Sequence, residues 1–289
     1  MSIEFIKAQE LYNLMNQIQS TNANGSGFAC LSDPNYLLLI DARSISDYEH
    51  YHIPTAIRPK VKKDEKYNTL SMILPFESLI ECKENIIVYD GNSKSLEEDK
   101  DRPAVRVAMA LSRAGAQVPI KVLYGGFQEF SANYPFYRST DVFHTQRILD
   151  NFPTYPAEIL PGSLFLGNTT QANDPSTRKS LKLDAFVSFT SSRSGNQLIR
   201  NDVIFEISDK NYSLQDLKLA SEFIDKHRLV GERVIVSCSS GRSLAPHLIV
   251  YYLVEIGSSG QSVTKNDALQ FVSKCRNDTY GKGPILKLF

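Results

Sequence analysis

The stretch "VIVSCSSGRSLAP" (Val234–Pro246) joins three kinds of sequence. An apolar run rich in β-branched residues stops at Ser237-Cys238. Small residues around Gly241 make a turn. An apolar, helix-like segment then opens at Leu244. Strand, glycine turn and helix in that order gather backbone N–H groups and the positive end of a helix around one point. A cysteine stands at the mouth of the turn, so a buried strand and a phosphate-binding type of loop are expected here.

Working outward, "SLFLGN" (163–168), "DAFVSFT" (184–190) and "VIFEIS" (203–208) read as further strands, and "LQDLKLASEFIDKHRL" (214–229), "LAPHLIVYYLVEIG" (244–257) and Lys265–Lys274 as helices. The first half shows the same alternation. "YLLLIDAR" (36–43), "NIIVYDG" (85–91) and "IKVLYGG" (120–126) are strand-like, and "PAVRVAMALSRAGA" (103–116) has helical periodicity. Strands alternating with helices imply mostly parallel sheets, so both halves are expected to be α/β. Residues 3–18 space their apolar positions as an amphipathic helix does. "STNANGSG" (20–27) reads as a loop, and the acidic run "EEDKD" (97–101) as a solvated one. "NFPTYPAEILPG" (151–162) holds three prolines and marks the domain break near residue 150, giving domains 1–150 and 151–289.

The chain has 289 residues, enough for about two domains, and 42% hydrophobic content, enough for packed cores. Lysine plus arginine and aspartate plus glutamate both number 32, so a general grip on nucleic acid is not expected. Cys30, Cys82, Cys238 and Cys275 show no CxxC spacing, so neither a metal site, a cofactor nor a disulfide framework is expected. No apolar run approaches the ~20 residues that span a bilayer. The first residues lack the pattern of a secretory signal or a transit peptide. Reduced thiols point to a cytoplasmic setting, with an organellar fraction left open.

Attack of a cysteine on a phosphate ester needs an ionised thiol, N–H groups and a bidentate arginine around the phosphate, and a general acid for the leaving oxygen. On this pattern residues 156–280 resemble a dual-specificity phosphatase domain. That family's loop runs histidine, cysteine, two residues, glycine, one residue, serine, arginine, serine. Here Ser237 falls at the histidine, Cys238 at the cysteine, Ser239 and Ser240 at the two intervening residues, Gly241 at the glycine, Arg242 at the variable position, Ser243 at the serine and Leu244 at the arginine. "YYL" (251–253) keeps the register without a gap. The resemblance implies that Asp209 stands at the general-acid position and that the loop is degenerate. Cys238 reads as the relic of a nucleophile or as a small buried hydrophobe, Asp209 as an acid or a turn residue, Arg242 as a solvated charge or a loose anion ligand, and His247 as a core residue.

Residues 36–59, together with "VLYGGFQEF" (122–130), resemble the rhodanese fold. Asp90 stands where a sulfur-carrying cysteine would begin the active loop, so sulfurtransfer is not expected. A rhodanese-like module before such a phosphatase domain is the layout of the mitogen-activated protein kinase phosphatases. "ELYNLMNQ", "YDGNS" and "ILPGSLFLGN" resemble the inactive, serine/threonine/tyrosine-interacting-like branch of that family. The resemblance implies a binding protein whose partners are kinases, phosphoproteins or active phosphatases. Docking would run through the basic segment Arg58, Lys60, Lys62 and Lys63, which reads otherwise as a solvated loop. The family continues through a further helix where this chain stops at "GPILKLF", so the expectation is a second domain that is either short at its C-terminus or truncated. The rival expectations are a weak phosphatase in which Arg242 compensates, and a redox-sensing thiol at Cys238.

Overall fold

A computed structural model describes residues 2–20, 27–64, 69–73, 77–142, 144–191, 203–256 and 263–278. The strands are β1 (Ile3–Ile6), β2 (Ile18–Ser20), β3 (Gly27–Ala29), β4 (Leu37–Asp41), β5 (Lys60–Asp64), β6 (Thr69–Ile73), β7 (Asn85–Tyr89), β8 (Ile120–Leu123), β9 (Ala157–Leu160), β10 (Leu164–Asn168), β11 (Ala185–Thr190), β12 (Val203–Ser208) and β13 (Val234–Cys238). The helices are α1 (Ala8–Met15), α2 (Ile45–His50), α3 (Pro103–Arg113), α4 (Gly126–Asn133), α5 (Gln146–Asp150), α6 (Thr169–Asn173), α7 (Pro175–Leu181), α8 (Leu214–Leu229), α9 (Leu244–Glu255) and α10 (Lys265–Cys275). They form two compact units. One is Met1–Leu11 with Cys30–Phe152; the other is Tyr12–Ala29 with Pro153–Phe289.

The first unit is built on a parallel sheet of order β1-β8-β7-β4. Ile40, Ile86, Val88, Ile120 and Val122 are buried beside Ala104, Ala108 and Leu111 of α3. Strands buried on both faces need near-continuous apolar runs, which "LLLI" and "IIV" supply.

The second unit holds a sheet of order β12-β11-β13-β10-β9, parallel except for the β9 edge. Val234, Ile235 and Val236 of the central strand are fully buried. The N-terminus of α8 is set by a reciprocal capping box between Ser213 and Asp216. Both units are therefore α/β, as the alternating pattern requires.

One local expectation is corrected, and two others gain detail. Residues 3–18 are not one helix: Ile3–Ile6 is a strand, because β1 gains a parallel ladder along β8, and only Ala8–Met15 is helical. The proline-rich stretch 151–162 contains a strand, β9, whose carbonyls and amides pair with β10; Gly162, at φ +63°, turns the chain between them. The acidic run 97–101 is largely exposed, as expected, and one member of it also orders the preceding turn. Asp99 accepts from the Lys94 and Ser95 amides at 2.7 and 3.0 Å and pairs with Arg102 at 2.7 Å. Most of the 20–27 loop lies outside the described residues.

Candidate functional site

β13 lies between β11 and β10 and runs parallel to both, so its C-terminal end opens on the edge where parallel α/β sheets place their ligand sites. Residues 239–243 form the loop there, and α9 starts at Leu244. The Gly241 amide donates to the Cys238 carbonyl at 3.1 Å, which closes the turn. Gly241 takes φ +70°, and a Cβ there would stand 2.8 Å from the Gly167 carbonyl oxygen, so only glycine fits.

Cys238 is 2% exposed and belongs to the apolar core of its unit. Ser237 is equally buried, and its hydroxyl donates to the Val187 carbonyl at 3.4 Å. A serine here can hold the neighbouring strand but offers no imidazole to the thiol. Ser239 is exposed, and Ser240 and Ser243 are half-buried. Ser243 precedes α9 without a side-chain capping bond. Leu244 packs its side chain against the apolar core.

Arg242 is neither a solvated charge nor an open anion ligand. It is 4% exposed, and its Nε donates to Asp278 Oδ2 at 3.0 Å. Arg276 shares the same carboxylate, with Nε at 2.6 Å from Oδ1, and donates from Nη2 to the Ser240 carbonyl at 3.3 Å. The loop is thus held by an ion-paired group from the end of α10. That end is fixed in turn by Gln17, whose Nε2 donates to the Cys275 carbonyl at 3.0 Å and whose Oε1 accepts from the Asn277 amide at 2.8 Å. Arg276, Asp278 and Gln17 were not singled out by sequence. The tripeptide Arg276-Asn277-Asp278 does offer an acid two residues from a base, but nothing in its spacing points back to Gly241.

Asp209 follows β12, on the same sheet edge as Cys238 with β11 between them. Its amide donates to the Thr190 carbonyl at 3.0 Å, and its Oδ1 is buried with no hydrogen-bond partner among the described residues. Two strand spacings of ~4.8 Å separate the ends of β12 and β13. His247 is fully buried within α9.

In the first unit, Asp90 follows β7 and is 3% exposed. Its Oδ1 accepts from the Asn92 and Ser93 amides at 3.1 and 3.0 Å. Its Oδ2 accepts from the Ser93 hydroxyl at 2.7 Å and from the Ala104 amide, at the start of α3, at 3.4 Å. The carboxylate therefore takes up the donors that the loop and helix would offer to an outside anion. Gly126 seals the back of this loop: at φ +55°, an added Cβ would stand 2.4 Å from the Asp90 carbonyl oxygen. A cleft of about 480 Å³ opens beside it, lined by Arg43, Asp47, His50, Asp90, Arg102 and Phe127 among others. Burial works against the Arg43 charge, but the Asp41 carboxylate at 2.6 Å more than offsets it and holds the guanidinium above its ordinary range. Arg43 also stacks 3.9 Å over the Phe127 ring.

Arg58 is half-buried and donates to the Arg43 carbonyl at 3.3 Å. Lys60, Lys62 and Lys63 fall on β5, which pairs with β6, and their side chains lie outside those described. Among the described residues no cluster of His, Cys, Asp or Glu is placed to hold a metal ion, and no helix is long and apolar enough to cross a membrane.

The first unit carries a rhodanese-like domain, matched by that family's model over residues 29–133. The second is similar in fold to dual-specificity phosphatases. The chain is 20% identical to the tyrosine-protein phosphatase vhp-1 of Caenorhabditis elegans over 300 aligned residues, which cover 91% of this chain and 45% of that protein. It thus spans under half the length of that curated relative. Among solved structures, DUSP15 is 20% identical, with a TM-score of 0.40, covering 47% of this chain and 85% of its own. The human tyrosine phosphatase-like serine/threonine/tyrosine-interacting protein is also 20% identical, with a TM-score of 0.38, covering 45% and 90%.

Proposed function

We propose that the second unit is a pseudophosphatase and that the chain is a signalling protein that acts by binding. The observation that carries this reading is the pairing of Leu244 with Arg242. Leu244 takes the position that the resemblance assigns to the phosphate-clamping arginine, and it packs, partly buried, against the core. Arg242, the loop's own guanidinium, is buried against Asp278. An arginine acting on a transferring phosphoryl group supplies roughly 10³–10⁵ in rate, or about 4–7 kcal/mol. Leucine has no donor with which to supply it. Ser237 removes a further support for the thiolate, and Cys238 is closed into the core. Asp209, on the same sheet edge, could lend a proton but cannot replace the clamp.

Partners are then held by surfaces outside the loop. Kinases, phosphoproteins or active phosphatases fit this role, with Arg58, Lys60, Lys62 and Lys63 as the docking segment for an acidic, partly apolar groove. The setting is the cytoplasm. In the first unit, the Asp90 carboxylate fills its own loop, which suits a binding module better than a sulfur carrier.

Full-length protein assayed with an aryl phosphate, beside a Cys238→Ser variant, tests the reading. The expected result is the same background rate for both. Turnover that depends on Cys238 would establish the rival, a weak phosphatase. Affinity capture with and without the four basic side chains tests the docking segment, with loss of kinase capture expected when they are neutralised.

A further inference from the structure

We propose that the cleft beside the Asp90 loop is a binding site for an oxyanion carried on an aromatic ring, held by Arg43 and Arg102. The site belongs to the first unit and goes beyond the pseudophosphatase reading, which rests on the second.

Two guanidinium groups line this cleft of about 480 Å³. Each is fixed by its own carboxylate. Arg43 Nε donates to Asp41 Oδ1 at 3.0 Å, and its Nη2 donates to Asp41 Oδ2 and to the Tyr51 carbonyl, both at 2.6 Å. Arg102 Nε donates to Asp99 at 2.7 Å, and its Nη1 donates to the Asn92 side chain. Arg43 Nη1 and Arg102 Nη2 have no partner among the described residues. The Arg43 side chain is only 10% exposed, so those unused N–H groups are what it offers to the cleft. A guanidinium pinned along one edge presents the other in a set direction, and little side-chain freedom is lost when an oxyanion takes it. Arg102 and Pro103 also bring the positive end of α3 to the same wall.

The acidic groups of the cleft do not use these donors. Asp90 is buried and spends both oxygens on its own loop and the start of α3. Asp47 is exposed, and its Oδ2 accepts from the Ser44 hydroxyl at 2.5 Å. Aromatic surface completes the lining. The Phe127 centroid lies 3.9 Å from the Arg43 guanidinium, and His50 and Tyr51 are exposed beside it. The ring of an aryl phosphate or aryl carboxylate packs on such a wall while its oxygens meet the two guanidiniums. The Asn92 and Ser93 amides take no part, because Asp90 already occupies them, so recognition rests on side chains outside that turn.

Calorimetric titration of the full native chain with phenyl phosphate and with benzoate, beside inorganic phosphate, tests this. Saturable binding of at least one aryl anion is expected, tighter than that of inorganic phosphate. Arg102→Gln, a change at a half-exposed side chain, is expected to weaken it by about tenfold, the loss of a charge-assisted hydrogen bond. Arg43→Lys keeps a charge beside Asp41 but loses the planar fork, and is expected to weaken it likewise. Asp47→Asn removes a like charge and is expected to tighten it; weaker binding by that variant would mark a cation site and overturn the proposal. Absence of aryl-anion binding by the native chain would also overturn it, as would binding that Arg102→Gln leaves unchanged, or inorganic phosphate bound as tightly as the aryl anions. Cys238→Ser is expected to bind as the native chain does. Loss in that variant would move the anion to the second unit and overturn this proposal together with the pseudophosphatase reading, whereas absence of binding by the native chain overturns this proposal alone.

Discussion

At Gly241 the backbone holds φ at +70°, and an added Cβ would meet the Gly167 carbonyl at 2.8 Å and Arg276 Nη1 at 2.9 Å. The first contact is with backbone and cannot move aside. Gly241→Ala is expected to lower stability by roughly 1–3 kcal/mol, through strain and displacement of Arg276. Urea denaturation of the second unit checks this; an unchanged midpoint would mean that the loop relaxes freely. The requirement for glycine was legible in the sequence, because a strand must turn there into a helix. The burial of Arg242 was not. Its partner lies 36 residues further on, and no local rule ties a loop arginine to the end of a distant helix.

At the scale of elements, capping sets where helices start, and it also sets an acid sensitivity. Asp216 is held below its ordinary value of 3.8, first by the Ser213 hydroxyl and then by the Ser213 amide. Asp174, which caps α7, is held down in the same way by the Thr177 hydroxyl and then its amide. A carboxyl group depressed in the folded state contributes stability above its unfolded pKa. That contribution fades as the pH falls through the folded value. Asp216→Asn is therefore expected to lose stability at neutral pH and to show a shallower fall in melting temperature below about pH 4 than the native chain. Parallel pH profiles of the two proteins would contradict this. α8 was legible as the helical run 214–229, whereas the Ser213–Asp216 capping box that fixes its start is seen only in the structure. β1 was misread because Ile3, Phe5 and Ile6 are too few to separate a period of two from one of 3.6. The deciding factor is the β8 ladder, a non-local partner. β9 was hidden by its prolines, which sit outside the paired residues.

At the scale of the whole molecule, chain order and unit membership differ. Residues 12–29 belong to the second unit, more than a hundred residues ahead of the rest of it. The side chains that bind them there imitate a backbone. Asn13 Nδ2 donates to the Glu158 carbonyl and Asn13 Oδ1 accepts from the Glu158 amide, both at 2.8 Å, and the Tyr12 hydroxyl donates to the Pro156 carbonyl at 2.8 Å. Asn13 is 4% exposed, so Asn13→Ala removes both of its hydrogen bonds to the buried Glu158 backbone. A loss of about 2–3 kcal/mol is expected, with faster hydrogen exchange at β9 and β10. Unchanged protection there would contradict it. Chain length and the alternation of strand-like with helix-like runs pointed to two α/β bodies, but they could not show that a segment before the first core belongs to the second, because single polar residues carry that link.

Calorimetric titration of the native chain with orthovanadate, a mimic of the phosphoryl group in transfer, tests the central claim most directly. The account predicts no binding that distinguishes the native protein from Cys238→Ser. Vanadate bound tightly by the native chain and lost in that variant would contradict it.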